Sequence, residues 1–267
     1  MVARCLTIAA SDSGGGAGIQ ADLRAFAAAG CYGASVIVAL TAQNTVGIAA
    51  IHEVPSAFIT AQMTAVLDDI GADAVKTGAL LTAAIVETVA DGLRGRHLPL
   101  VVDPVTTATT GRRLLDDDAM AALVRLLFPL ATVVTPNLDE AARLAGRPGD
   151  TREMAERIAA RGAPAVLITG GHGEPVDHLY WNGEHLDIAV PRVDGRATHG
   201  SGCTHSATLT AALAKGLDLE TSAREAAAVT ARAISLGLAD IGTGEGPVDV
   251  LDLEAQEGGR NQWRRTT

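Results

Sequence analysis

The stretch LVVDPVTTATTGRRLLDDDAMAALVRLLFPLATVVTPNLDE, residues 100–140, decides the fold. Leu100 to Val102 is a short apolar run stopped by Asp103 and Pro104, which reads as a buried strand. Asp117 to Leu127 repeats its apolar residues at intervals of three and four, the period of a helix with one buried face. Thr132 to Val134 is a second apolar run, stopped by Pro136 and Asn137. Strand, helix and strand in that order form a crossover unit, and such units build parallel sheets.

The same alternation extends in both directions. Further strands are expected at Cys5 to Ala10, Ser35 to Leu40, Ala74 to Lys76 and Ala165 to Ile168. Helices are expected at Ile19 to Ala29, Ser56 to Asp69, Thr82 to Leu93, Thr151 to Arg161, Thr204 to Ala214 and Thr221 to Ala239. His178 to Trp181 and His185 to Val190 flank Asn182, Gly183 and Glu184, a hairpin pattern that adds antiparallel strands at the late edge. The class is α/β with a mainly parallel central sheet. With 267 residues and no linker, one domain over residues 1–256 and a polar tail over 257–267 are expected.

A net charge of -10 argues against a nucleic-acid or anionic-membrane partner, since both need a basic field. Only 3% of residues are aromatic, too few for a surface that stacks bases. Cys5, Cys31 and Cys203 are odd in number and lack metal-ligand spacing, which suits a reducing compartment. No signal peptide or membrane-length apolar run is present, so the expected location is the cytoplasm.

In open α/β sheets ligands bind at the carboxyl ends of the strands. Those ends carry Ser11 to Gly16, Asp103 to Pro104, Pro136 to Asn137 and Gly170 to His172. Gly200, Ser201, Gly202, Cys203 and Thr204 stand just before an Ala- and Leu-rich helix, where backbone amides and the helix end favour an anion. The same field is expected to lower the pKa of Cys203 and equip it to take a proton from a hydroxyl. From spacing alone the segment reads equally as small residues under a turn. The loop Ser11 to Gly18 lacks the lysine of a nucleotide P-loop and the dinucleotide fingerprint; it suits close approach to a flat substrate, with Asp22 one turn into the helix, or a flexible cap. Asp103 and Glu140 offer hard oxygen ligands for Mg²⁺, although Glu140 alone reads as a helix cap. Gln43 and Asn44 either read a ring or close a turn. His172, His199 and His205 beside Cys203 leave a cysteine hydrolase as a further reading.

In combination, ASDSGGGAGIQAD (10–22), TAQNTVG (41–47), VVDPV (101–105), TPNLDE (135–140), GGH (170–172) and HGSGCTHS (199–206) resemble the hydroxymethylpyrimidine and phosphomethylpyrimidine kinases of thiamin synthesis, within the ribokinase-like superfamily. The resemblance implies a three-layer α/β/α fold, a pyrimidine substrate, ATP with Mg²⁺, and a homodimer. It implies that Asp12, Gly16, Ala17, Asp22 and Gln43 hold the pyrimidine, and that Asn137, Thr169, His172 and Thr198 lie along ATP. Asp103 and Glu140 organise the metal, Gly200, Ser201 and Gly202 form the anion hole, and Cys203 is the catalytic cysteine. Two departures stand out. Thr169 replaces a lysine common before Gly-Gly-His, and Thr109, Thr110, Gly111 replace Lys-Ser-Gly; Arg112 or Arg113 are the cations nearest in sequence. A pyridoxal kinase and a catalytically silent pyrimidine sensor are the rival functions.

Overall fold

A computed structural model of the protein describes residues 1–170, 175–193 and 197–253; Gly171, His172 and the tail 257–267 lie outside them. Nine strands form one sheet: β1 (Arg4–Asp12), β2 (Tyr32–Gln43), β3 (Ile48–Glu53), β4 (Ala74–Thr77), β5 (Leu100–Val102), β6 (Val133–Val134), β7 (Ala165–Ile168), β8 (Val176–Trp181) and β9 (Glu184–Ala189). Their order is β3-β2-β1-β4-β5-β6-β7-β8-β9. The six strands from β2 to β7 run parallel, as the crossover pattern requires.

Both edges are antiparallel. The β8–β9 hairpin turns on Asn182 and Gly183, both with positive φ, the geometry of a tight two-residue turn. At the other edge β3 pairs with β2, a strand the sequence reading did not contain. Ile48, Ala49, Ala50 and Ile51 do not alternate with polar residues, and Ala49 and Ala50 are exposed, so no buried face marks the segment.

Among the described residues eight α-helices cover the sheet: α1 (Gly18–Ala28), α2 (Ser56–Ala65), α3 (Ala83–Leu93), α4 (Asp117–Leu126), α5 (Leu138–Leu144), α6 (Thr151–Ala159), α7 (Ser201–Ala214) and α8 (Leu219–Ser235). A π-helical turn, Val66–Ile70, continues α2. Helices α2 to α6 pack with Val75, Val102 and Val134 on one face. On the opposite face Val101, Val133 and Leu167 meet α7 and α8, and Cys5 meets α1 and α7. Three layers result. Among the described residues no helix is long and apolar enough to cross a membrane.

Strand alternation now places the chemistry. Val75 and Val102 face the α2–α6 layer, so the next residues along, Lys76 on its own strand and Asp103 just past β5, point toward α7. Helix α7 is buried from Thr204 through Ala212 and is built of Ala, Thr, Ser and Leu with a histidine. Small side chains let it lie close to the sheet, and Thr208 and Thr210 satisfy their hydroxyls on the carbonyls one turn back. It starts three residues earlier than its periodicity predicts, so Cys203 lies inside its first turn.

Candidate active site

Asp12 ends β1 and organises the loop that follows. Its carboxylate accepts from the amides of Gly14 (2.8 Å), Gly16 (3.1 Å) and Ala17 (2.9 Å), and His199 Nε2 lies 3.2 Å away. Burial opposes its charge, but His199 and these amides outweigh burial and hold its pKa below the usual carboxylate range. Asp12, expected to hold the substrate, uses its oxygens here to shape the loop. Ser13 stitches the loop to the end of β2, donating to the Gln43 carbonyl and accepting from its amide. The Gln43 side-chain oxygen accepts from Thr41, which leaves its amide N–H groups for a ligand.

Gly200 is the N-cap of α7 at φ 81°, a left-handed conformation. A Cβ there would sit 1.8 Å from the Gly16 carbonyl oxygen, so only glycine lets the phosphate-type cradle touch the first loop. Ser201, Gly202 and Cys203 follow in the first turn, where the Gly202 and Cys203 amides are the donors left for a ligand. Thr198, just upstream, accepts from the Ser201 amide. Ala17 is the N-cap of α1 with no side-chain cap of its own.

Below this cradle lies a buried ionic network. Lys76 Nζ is 2.6 Å from Asp22 Oδ1 and 3.8 Å from Asp103 Oδ2, with Lys76 and Asp22 both fully buried. Thr7 donates to Asp22 (2.6 Å) and Ser206 to Asp103 (2.7 Å). Asp22, expected to face the substrate, is buried here with its two oxygens on Lys76 and Thr7. Sequence reasoning missed Lys76, Thr7 and Ser206. A lysine at the end of a short strand looks like a solvated terminus, and only its two partners from distant segments show otherwise.

This environment also reverses the expectation for Cys203. Burial pushes its thiol up to about 12; Lys76 pulls it down, but Asp22 and Asp103 push it further up. The helix end and the Gly18 amide do not overcome that. His199 and His205 bond Asp12 and Asp177, and neither meets the Cys203 sulfur, so a Cys–His pair of hydrolase type is absent among the described residues.

Glu140 caps its helix, as one of its two sequence readings has it. It closes a capping box with Asn137, and its second oxygen accepts from the Thr106 amide at 3.0 Å. Burial first, then the Asp103 charge, raises its pKa to about 7. Between pH 4.5 and 7 the folded protein therefore holds a proton that the unfolded chain has lost. By linkage, stability falls as pH rises through that window, by on the order of 3 kcal/mol in total. Urea titrations across pH 4.5–7.5 should show this slope in wild type and a flatter one in Glu140→Gln; equal slopes would take the effect away from Glu140.

Asp103 and Glu140 are both buried, and the Asp103 charge opposes ionisation of Glu140; a carboxylate pair of this kind is the donor set that magnesium takes alongside water and phosphate oxygens. Thr169 continues the rim, its amide bonded to the Pro136 carbonyl. The two arginines near the missing lysines are engaged elsewhere: Arg112 donates to the Ile48 carbonyl, and Arg113 to the Leu115 carbonyl and Asp117.

Comparison with known proteins agrees with this geometry. Residues 12–249 match the family model for phosphomethylpyrimidine kinase. The hydroxymethylpyrimidine/phosphomethylpyrimidine kinase of Rhizobium meliloti (strain 1021) is 49% identical over 258 residues, spanning 93% of this chain and 97% of the relative. Among solved structures, an ADP complex of Bacillus subtilis pyridoxal kinase superposes with a TM-score of 0.87 at 35% identity, over 95% of this chain and 99% of that one. The phosphomethylpyrimidine kinase of Clostridium difficile 630 does so with a TM-score of 0.75 at 37% identity, over 84% and 96%. Because the family match runs from the aspartate that shapes the first loop to one beyond α8, it takes in both halves of the site, and the chain belongs to the phosphomethylpyrimidine kinase family of phosphotransferases.

Proposed function

We propose that this kinase transfers the γ-phosphoryl group of ATP to the hydroxymethyl group of 4-amino-5-hydroxymethyl-2-methylpyrimidine, and then phosphorylates the monophosphate to the diphosphate. The observation that carries the reading is the meeting of an anion cradle, Gly200 to Cys203, with the first loop on one side and the Asp103–Glu140 carboxylates on the other. In this reading Gln43 reads the ring with its free amide, and the cradle amides hold the transferring phosphoryl group. Asn137, Thr169 and Thr198 line the nucleotide side. His172 belongs to that set by resemblance and lies outside the described residues. Asp103 and Glu140 would hold magnesium, which supplies charge neutralisation on the triphosphate when bound.

In the free site burial keeps the proton on the Cys203 thiol, and Asp22 and Asp103 add to that hold. A cation bound at Asp103 would offset part of that carboxylate's push, so the loaded site would release the thiol proton to solvent. The resulting thiolate takes the alcohol proton as the alcohol oxygen bonds to phosphorus and the bond from phosphorus to the ADP oxygen breaks. Most of the rate then comes from positioning and electrostatics, as phosphoryl transfer requires.

Purified protein incubated with Mg-ATP and the hydroxymethylpyrimidine should yield monophosphate and then diphosphate by mass. Failure of both would sink the assignment. Likeness to the Bacillus subtilis pyridoxal kinase favours a second reading, and a higher kcat/KM for pyridoxal in the same assay would establish it. We also read the chain as a cytoplasmic homodimer. Leu40, Val46 and Phe58 are exposed around the β2–β3 edge, an apolar surface that a second copy would cover. Sedimentation should give twice the 27.2 kDa of one chain; a species of single-chain mass would remove the dimer.

A further inference from the structure

Between β5 and α4 the chain makes a small hairpin that the proposed chemistry does not use. Thr107 bridges Arg113, the Ala108 amide donates to the Arg112 carbonyl at 2.8 Å, and the Gly111 amide to the Ala108 carbonyl at 2.8 Å. This hairpin is held at three points. At its root the Thr106 amide donates to Glu140 Oε1. On its flank Arg112 donates to the Ile48 carbonyl at 2.7 Å. At its tip Thr109 Oγ1 lies 3.3 Å from His199 Nδ1.

The histidine passes the third contact on. Its ring is buried, and its other nitrogen faces the Asp12 carboxylate at 3.2 Å. A carboxylate only accepts, so Nε2 carries the hydrogen and donates to Asp12, while Nδ1 meets the Thr109 hydroxyl. A Cβ on Gly16 would stand 2.3 Å from the ring carbon Cδ2, which shows how closely the ring lies against the first loop. The His199 backbone is fixed as well, between the Gly246 carbonyl and the Val248 amide. Ring position is thus set by Asp12 on one nitrogen and Thr109 on the other. A hydroxyl can donate to Nδ1 or accept from it, whereas a methyl group of the same size can do neither.

We infer that Thr109 is a positioning residue: through the His199 ring and Asp12 it fixes the first loop, and with it the subsite for the ring of the alcohol substrate. Where a lysine would bring a charge toward phosphate, this chain uses a hydroxyl to brace the opposite side of the site. The inference about substrate affinity rests on the proposed function; the brace itself does not.

Two measurements on the full-length chain test it. Amide hydrogen exchange should be at least three-fold faster over residues 12–17 and 105–113 in Thr109→Val than in wild type, and Thr109→Ser should restore wild-type rates. Thr110→Val removes a neighbouring exposed hydroxyl that has no hydrogen-bond partner among the described residues, and should leave both segments unchanged. Exchange in Thr109→Val that matches wild type, or equal disturbance by Thr110→Val, would overturn the brace. In steady-state kinetics Thr109→Val should raise KM for the pyrimidine alcohol about five- to ten-fold with kcat within two-fold, the mark of lost uniform binding. A fall in kcat at constant KM would overturn the positioning role. If the protein does not phosphorylate the pyrimidine but exchange changes as stated, the brace stands and the proposed function fails.

Discussion

Cys203→Ala is expected to lower kcat by about 10² to 10⁴, the range for removing a positioned proton acceptor, while Kd for Mg-ATP changes by less than two-fold. The side chain adds nothing to the backbone cradle, so nucleotide binding has no reason to fail with it. The size of the loss also reports on the state of the sulfur. Burial pushes the free thiol up to about 12, so in this reading the thiolate that takes the proton forms on loading of the site. An acceptor that becomes effective only in the loaded site should give a pH–rate profile for kcat whose acidic limb, the rise as the sulfur loses its proton, is absent in the alanine variant. Wild-type turnover in Cys203→Ala would remove the cysteine from the mechanism and leave the cradle as the whole catalyst.

Gly200→Ala should be the most damaging single methyl in the chain. The residue sits at φ 81°, which costs an alanine about 1 to 2 kcal/mol, and the new Cβ would lie 1.8 Å from the Gly16 carbonyl oxygen. Relief requires either the first loop or the start of α7 to move. We expect a stability loss of about 2 to 4 kcal/mol by urea titration and at least a ten-fold weaker affinity for the nucleotide. Gly202→Ala is the matched comparison, because a Cβ there meets nothing within 4 Å and alanine is the better helix former. If both variants bind nucleotide equally, the cradle does not depend on contact between the two loops.

The parts of the fold legible in sequence were those whose burial is local. Leu100 to Val102 and Ala165 to Ile168 are buried on both faces, so an unbroken apolar run marks them, and the β8–β9 turn announces itself through Asn182 and Gly183. Strand β3 lies at an edge with little burial and leaves no such mark. The helix Leu138–Leu144 is only seven residues long and shows mainly through its capping box.

The candidate site divides the same way. Gly200 to Cys203 stood out because glycines before a helix have few uses. Lys76 did not, because its role depends on Asp22 from 54 positions away and on Asp103 from the next strand. The sign of the shift at Cys203 was lost for the same reason. The helix end that favours a thiolate is visible in five residues, whereas the burial and carboxylates that oppose it come from three separate segments.

His199 and Asp12 are joined although 187 positions separate them. During synthesis the loop after β1 leaves the ribosome 187 residues ahead of the ring that clasps it. Until the ring arrives Asp12 holds its loop alone, and Gly16 has no cradle to meet. Assembly of the site is therefore a late event that follows formation of the parallel sheet, with the long loop closures that slow folding of such topologies. A fragment that stops short of α7 would still contain the residues proposed to meet the pyrimidine, but not the half of the molecule that keeps them in place.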